Sequence, residues 1–232
     1  MAAKTPIRKL LLLSLILLSA TSINSANQNS ASQKNVFRFQ LPRQGDQFIY
    51  KGIVKWGVDA NPRQKEVIWP VEVVDVITRG RYHIAKLKGF PDDLVGFYDF
   101  DEEDPKPQER YYIINNQLRE IYISDSLPSL TQRALKQLKG EQIYLNLAEP
   151  PRGQRPYSDW VLESKGGVNI NDIKGIPQGQ YLKYTFGERT ISGASIIDFI
   201  PAIGVIAYKY VHNGSISEID MKLIEIKHSN SR

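Results

Sequence analysis

The sequence predicts an all-β chain with one short helix, built as a strongly curved antiparallel sheet or a partly closed β-barrel, lipocalin-like or half-barrel in form. Three observations carry that reading: short runs in which apolar and polar residues alternate, breaks rich in Gly, Pro and Asn between them, and a single segment with helical spacing. The clearest run is 202–226, AIGVIAYKYVHNGSISEIDMKLIEI, which reads as a β-hairpin around Asn213-Gly214. Asn and Gly tolerate the positive φ that a two-residue type I′ turn needs at both central positions. That turn pairs Tyr210 with Ser217, Tyr208 with Ile219 and Ile206 with Met221. One face then carries Ile206, Tyr208, Tyr210, Ile219, Met221 and Leu223, and the other sets Lys209 against Glu218 and Ala207 against Asp220.

In chain order, Lys4, Arg8 and Lys9 precede an apolar run from Leu10 to Ala20 with small residues after it, the pattern of a secretory signal peptide over 1–26. The run is too short for a membrane anchor, which needs about 20 apolar residues. A polar Ser/Asn/Gln linker over 27–36 follows, expected to be flexible, and then a single β-rich domain over 37–228. Its first strand is expected at 47–56, after the turn Leu41-Pro42-Arg43-Gln44-Gly45-Asp46. Residues 59–63 read as a turn, and 66–78 as a strand whose Pro70 demands an edge, a bulge or a division in two. Strands are expected at 81–87 and 94–100, and a hairpin at 110–114 and 118–123 through Asn115-Asn116. Ser129 and Gln132 form a capping box before Leu130, Ala134, Leu135 and Leu138, with Gly140 as the stop. The stretch 149–156, EPPRGQRP, is an internal boundary or a crossing loop. Strands at 160–164, 168–173, 180–186 and 190–199 lead into the terminal hairpin, about ten strands in all.

Charge and cysteine usage narrow the class. Of 30 Lys and Arg, three fall in the signal segment, leaving 27 against 25 acidic residues, a balance that favours no nucleic acid. There are no cysteines, which removes disulfides, a thiol nucleophile, thiolate metal ligands and lipidation at a cleavage site. The expectation is an exported bacterial protein, periplasmic or extracellular, soluble, not a lipoprotein, and with no membrane span after signal cleavage.

Leu41-Pro42, Gly45-Asp46, Phe48 and Tyr50 resemble the Pro-Leu-x-x-Gly-x-x-Trp-x-Tyr opening of a loosely defined group of secreted bacterial β proteins. Phe199-Ile200-Pro201-Ala202-Ile203-Gly204-Val205-Ile206 with Tyr208, Tyr210 and His212-Asn213-Gly214 resembles their Ala-Pro-Gly-Val-Gly-hydrophobic-Val closing strand. Phe48 stands where tryptophan is common and Ala202 where the first glycine is. The resemblance implies an exported β domain and transfers no catalytic residue.

No chemical motif dominates. His83, His212 and His228 have no paired metal spacing, so no metal site and no cofactor are expected. GxSxG is absent, since Gly193-Ala194-Ser195 lacks the second glycine. Asp99, Asp101, Glu102, Glu103 and Asp104 form an acidic loop without EF-hand spacing. The aromatics Trp56, Trp69, Tyr112, Trp160, Tyr208 and Tyr210 are the candidate ligand-binding residues, able to line a cavity inside a curved sheet or to fill its core. The function expected is therefore a non-enzymatic binding or envelope-associated module, taking a small apolar ligand or lipid, or a protein partner. The alternatives are a hydrolase acting on envelope polymers or glycans, which needs two carboxylates near one another in an open groove, and a structural or interaction protein without a pocket.

Overall fold

Extended backbone sends successive side chains to opposite faces, and the alternating runs become eleven strands: β1 (Gln47–Val58), β2 (Asn61–Arg79), β3 (Tyr82–Lys88), β4 (Glu109–Asn115), β5 (Glu120–Ser124), β6 (Ile143–Asn146), β7 (Val161–Ile170), β8 (Gly179–Arg189), β9 (Gly193–Ile200), β10 (Gly204–His212) and β11 (Ile216–Lys227). The computed structural model describes residues 39–58, 61–95, 105–131, 133–135, 142–153, 157, 159–214 and 216–229. The signal segment, the linker and the acidic residues 99 and 101–104 lie outside the described residues.

All neighbours pair antiparallel in the order β6-β5-β4-β3-β2-β1-β11-β10-β9-β8-β7. The first and last strands meet at mid-sheet, whereas the consecutive strands β6 and β7 are its two edges. Those edges approach each other, and Leu145 and Leu162 from them enter one core, so the sheet is a nearly closed barrel. Residues 154–156 of the expected boundary lie outside the described residues, and 149–153 lie between β6 and β7. There Arg152 N–H donates to Leu162 O at 2.7 Å.

The inward faces form the main core, with Tyr50, Val71, Ile121, Phe186, Ile197, Phe199 and Met221 among its buried residues. A smaller cluster lies on the outer face of β3–β6, where Ile84, Ile113, Tyr122 and Tyr144 are covered by Leu127, Leu130 and Leu135. The covering segment is helical at 133–135, with Leu135 N–H donating to Thr131 O (3.0 Å) and Ala134 N–H to Thr131 Oγ1 (3.3 Å). Thr131 is therefore the capping residue described here. Gln132, the second half of the expected box, and 136–141 lie outside the described residues. A separate 3-10 turn spans Pro91–Leu94.

The terminal hairpin keeps its expected faces but not its expected register. Tyr210 pairs with Ile219, Tyr208 with Met221 and Val211 with Glu218, a slip of two residues. A slip of one would have turned the apolar set outward; a slip of two preserves both faces. Ile206, Tyr208, Tyr210, Ile219, Met221 and Leu223 are all buried. Lys209 faces Asp220 (3.7 Å) and reaches Glu218 diagonally (3.5 Å). Beside the hairpin, Asn213 N–H donates to Ser192 O at 2.8 Å and ties the turn to the β8–β9 loop.

Other expectations change in detail. Asn61, Pro62 and Arg63 begin β2 and do not form a turn. Leu94 ends the 3-10 turn, and 96–100, the rest of the strand expected there, lie outside the described residues. The β4–β5 turn occupies 116–119, with Asn115 already paired to Glu120 and the positive φ (56°) at Arg119. The two strands expected at 160–164 and 168–173 are one, β7, which runs through Gly166-Gly167.

Candidate functional site

Each of the six aromatic candidates enters the packed main core: Trp56, Trp69, Tyr112, Trp160, Tyr208 and Tyr210 are all buried. Trp69 Nε1–H donates to Gly89 O, anchoring the break after β3. Of the six, Trp69 lines a groove of about 370 Å³ with Glu66, Ile68 and Pro105, and Tyr112 lines a half-open pocket with Tyr50, Phe90, Val205 and Pro42 on its other walls. Its volume is about 30 Å³, room for a water molecule or two. Ligand pockets run to several hundred Å³.

A polar group of side chains gathers at the inner face of β8–β10. Glu188 stands opposite Ser195, and Ser195 opposite Tyr210, forming one row across the sheet. Tyr208 lies beside this row and hydrogen-bonds to Ser195. The 3-10 turn closes over it, setting the Phe90 ring edge-on to Tyr208 at 6.0 Å. Asp92 and Asp93 lie on that turn. Arg110 of β4 reaches Asp93 Oδ1 at 3.1 Å and Asp92 Oδ2 at 3.4 Å, and also pairs with Asp125. Gln108 N–H donates to Asp93 Oδ2 at 2.7 Å.

One guanidinium thus serves three carboxylates. Asp92 Oδ1 is buried and has no hydrogen-bond partner among the described residues. Burial, opposed by Arg110 and aided by Asp93, pushes the Asp92 carboxyl up to about 7. Burial raises Glu188 as well, with Asp159 adding to it. The Tyr208 hydroxyl is held far above its usual range, chiefly by burial and then by the charge of Asp92. A carboxyl pushed up to about 7, as Asp92 is, keeps part of its protons near neutrality and can donate one, which is the chemistry this group offers. The sequence reading missed it, although the inward series Tyr184, Phe186, Glu188 would have marked Glu188 as a carboxylate on the core face.

The two stretches that carry the resemblance meet in space. Tyr50 OH donates to Val205 O at 2.7 Å, Gln40 N–H to Pro201 O at 2.7 Å, and the Phe39 and Phe199 rings lie 6.3 Å apart. Asp46 is buried and accepts from Arg43 N–H (2.9 Å) and Ser229 N–H (3.1 Å), with His228 Nδ1 at 3.3 Å. These residues start and close the sheet. His83 is equally structural: its Nε2 donates to Pro42 O at 3.1 Å. Glu120 is buried and accepts from Tyr144 OH (2.8 Å), Tyr122 OH (3.1 Å) and Asn115 Nδ2 (3.3 Å). Among the described residues no group of three His, Cys, Asp or Glu side chains could hold a metal ion, and no helix is long and apolar enough to cross a membrane.

No family model matches the chain, and neither does any curated protein. Two solved structures are similar in part. One, from Bacteroides fragilis, is described as an exported protein with a YmcC-like fold; it is 13% identical with a TM-score of 0.42, over 82% of this chain and 99% of that one. The other, from Parabacteroides distasonis, is described as a lipoprotein; it is 13% identical with a TM-score of 0.38, over 82% of this chain and 98% of that one.

Proposed function

We propose that this chain is an exported bacterial envelope module that works by binding a protein partner at its surface. The observation that carries the reading is that all six candidate aromatics are buried in one packed core of the described residues. A barrel that stores an apolar ligand or lipid needs a cavity of several hundred Å³, and the one under Tyr112 measures about 30 Å³. The six aromatics hold the barrel together, leaving its outer surface for recognition. Export rests on the basic, apolar and small-residue pattern of residues 1–26. Native mass spectrometry of the mature protein, purified from an exporting bacterium, tests the reading: the expected mass is that of the bare chain, and a stoichiometric lipid or other small molecule would overturn it.

Two carboxyls raised by burial, Asp92 and Glu188, each acting on Tyr208, which hydrogen-bonds to Ser195, favour the hydrolase alternative. Turnover of peptidoglycan or another envelope glycan, lost in both Asp92→Asn and Glu188→Gln, would establish it in place of binding.

A further inference from the structure

We infer that the open edge of β7 pairs antiparallel with the same edge of a second copy of this chain, joining two barrels across a two-fold axis. The inference goes beyond the partner reading and does not rest on it. β7 has β8 on one side, and on the other no strand pairs with it among the described residues. Two bonds fix which of its residues face outward. Thr190 N–H donates to Gly193 O, so the even residues of β8 face β9 and the odd ones face β7. Ser164, Gly166 and Val168 stand opposite Thr185, Lys183 and Tyr181 and bond to β8, which leaves Lys165, Gly167 and Asn169 directing their N–H and C=O groups outward. Leu162, across the bulge at Glu163, faces outward too, and its carbonyl takes Arg152 N–H at 2.7 Å. Below that bond Lys165, Gly167 and Asn169 are all exposed, and no backbone group of another segment bonds to them among the described residues. The strand, β8 and the loop between them lie wholly within the described residues.

This edge is complementary to itself in one register. With the two-fold axis at Gly167, Gly167 faces Gly167 of the second copy, and Lys165 faces its Asn169 on either side. Each such pair exchanges two N–H···O=C bonds, so every outward group is used. An axis at Gly166 or Val168 leaves an outward residue unmatched. An axis at Lys165 sets two ammonium groups face to face, and one at Asn169 runs past the end of the strand at Ile170. Lys165 is the one charged residue of 164–170, and in the Gly167 register it meets a neutral amide. The centre is also bare: a Cβ at Gly166 would meet nothing within 4 Å, and Gly167 carries none. Because both copies use the same patch, the pairing closes at two and hides an edge that would otherwise template further strands.

The absence of cysteine makes the register testable with single thiols in the full mature chain. Gly167→Cys places two Cα atoms about 5.5 Å apart across the axis, within disulfide reach, whereas Lys165→Cys sets its two thiols beyond the roughly 7 Å limit. Mild oxidation is expected to give a covalent dimer with Gly167→Cys and at least tenfold less with Lys165→Cys. Equal yields, or none from either, overturn the proposal. Sedimentation of the wild type over a dilution series up to about 1 mM is expected to show a monomer–dimer equilibrium, and a monomer throughout overturns it. Gly167→Pro removes an outward donor and no β8 ladder bond, and weakens that dimer at least tenfold; Asn169→Glu, set against Lys165 of the other copy, tightens it severalfold. Circular dichroism verifies that each variant is folded, and Asn169→Pro replaces Gly167→Pro if that one is not. A dimer that persists unchanged in the folded proline variant assigns the contact elsewhere and overturns the edge pairing, while the partner reading is decided separately by whether a small molecule is bound.

Discussion

Asp92 is the residue whose environment most departs from that of an exposed carboxylate. In the unfolded chain it titrates near 3.8, and in the folded one near 7, so between those values the native state holds a proton that the unfolded state releases. Stability from this group falls as pH rises from about 4 to 7, and the loss is complete above 7. Its side chain keeps 24% of its exposure, so water screens it and the change is about 1–2 kcal/mol. Thermal melts of the wild type are expected to shift down between pH 5 and pH 8, and Asp92→Asn is expected to flatten that slope; equal slopes in the two proteins would refute the assignment. Gly52 makes a separate case. A Cβ there would sit 1.9 Å from Asp220 O in the neighbouring strand, so Gly52→Ala must push β1 away from β11. Overpacking of this kind costs about 1–3 kcal/mol, to be read as a lower urea midpoint with an unchanged m-value.

At the scale of the element, what could be read beforehand depended on whether one physical signal acted alone. The faces of β10 and β11 were legible because alternation is local, whereas their register was not, because a shift of two residues leaves the same alternation in place. β6 went unread. It is four residues long, and its partner β5 and its outer cover come from elsewhere in the chain, so Ile143–Asn146 shows little pattern of its own. β7 looked like two strands because Gly166-Gly167 interrupts its apolar series, yet it continues because β8 pairs through both glycines. The candidate site was the least legible part. Asp92, Asp93 and Arg110 come together only through the break after β3, and no spacing in the sequence announces that meeting. The start and close of the sheet offer a direct test. Tyr50→Phe removes the hydroxyl that donates to Val205 O, leaving a buried carbonyl without that donor, and should cost about 1–3 kcal/mol in denaturant unfolding.

Across the whole molecule, stability comes from packing and buried hydrogen bonds in a chain without a cysteine. The last described residues take part in this. Removal of 228–232 takes away Ser229 N–H and His228 from Asp46, which is 1% exposed, and so leaves a buried carboxylate with fewer donors. The truncated chain is expected to melt several degrees lower, by about 1–3 kcal/mol, with its secondary structure intact below the transition. The outer-face ion pairs act in the other direction of scale. Lys55–Glu218, Lys183–Asp198 and Lys209–Asp220 are partly exposed, so 0.5 M salt should move the melting temperature little.

The central pairing of β1 with β11 bears on how the protein comes into being. A ribosome delivers β1 first and β11 last of the eleven strands, so the middle of the sheet stays open until the other ten have been made. The ladder that joins the two halves through β1 cannot form before β11, Ile216–Lys227, is released. A nascent chain stalled short of Ile216 should therefore remain protease-sensitive along its entire length, and nearly complete molecules would depend on a holdase to keep their greasy strands from sticking to one another.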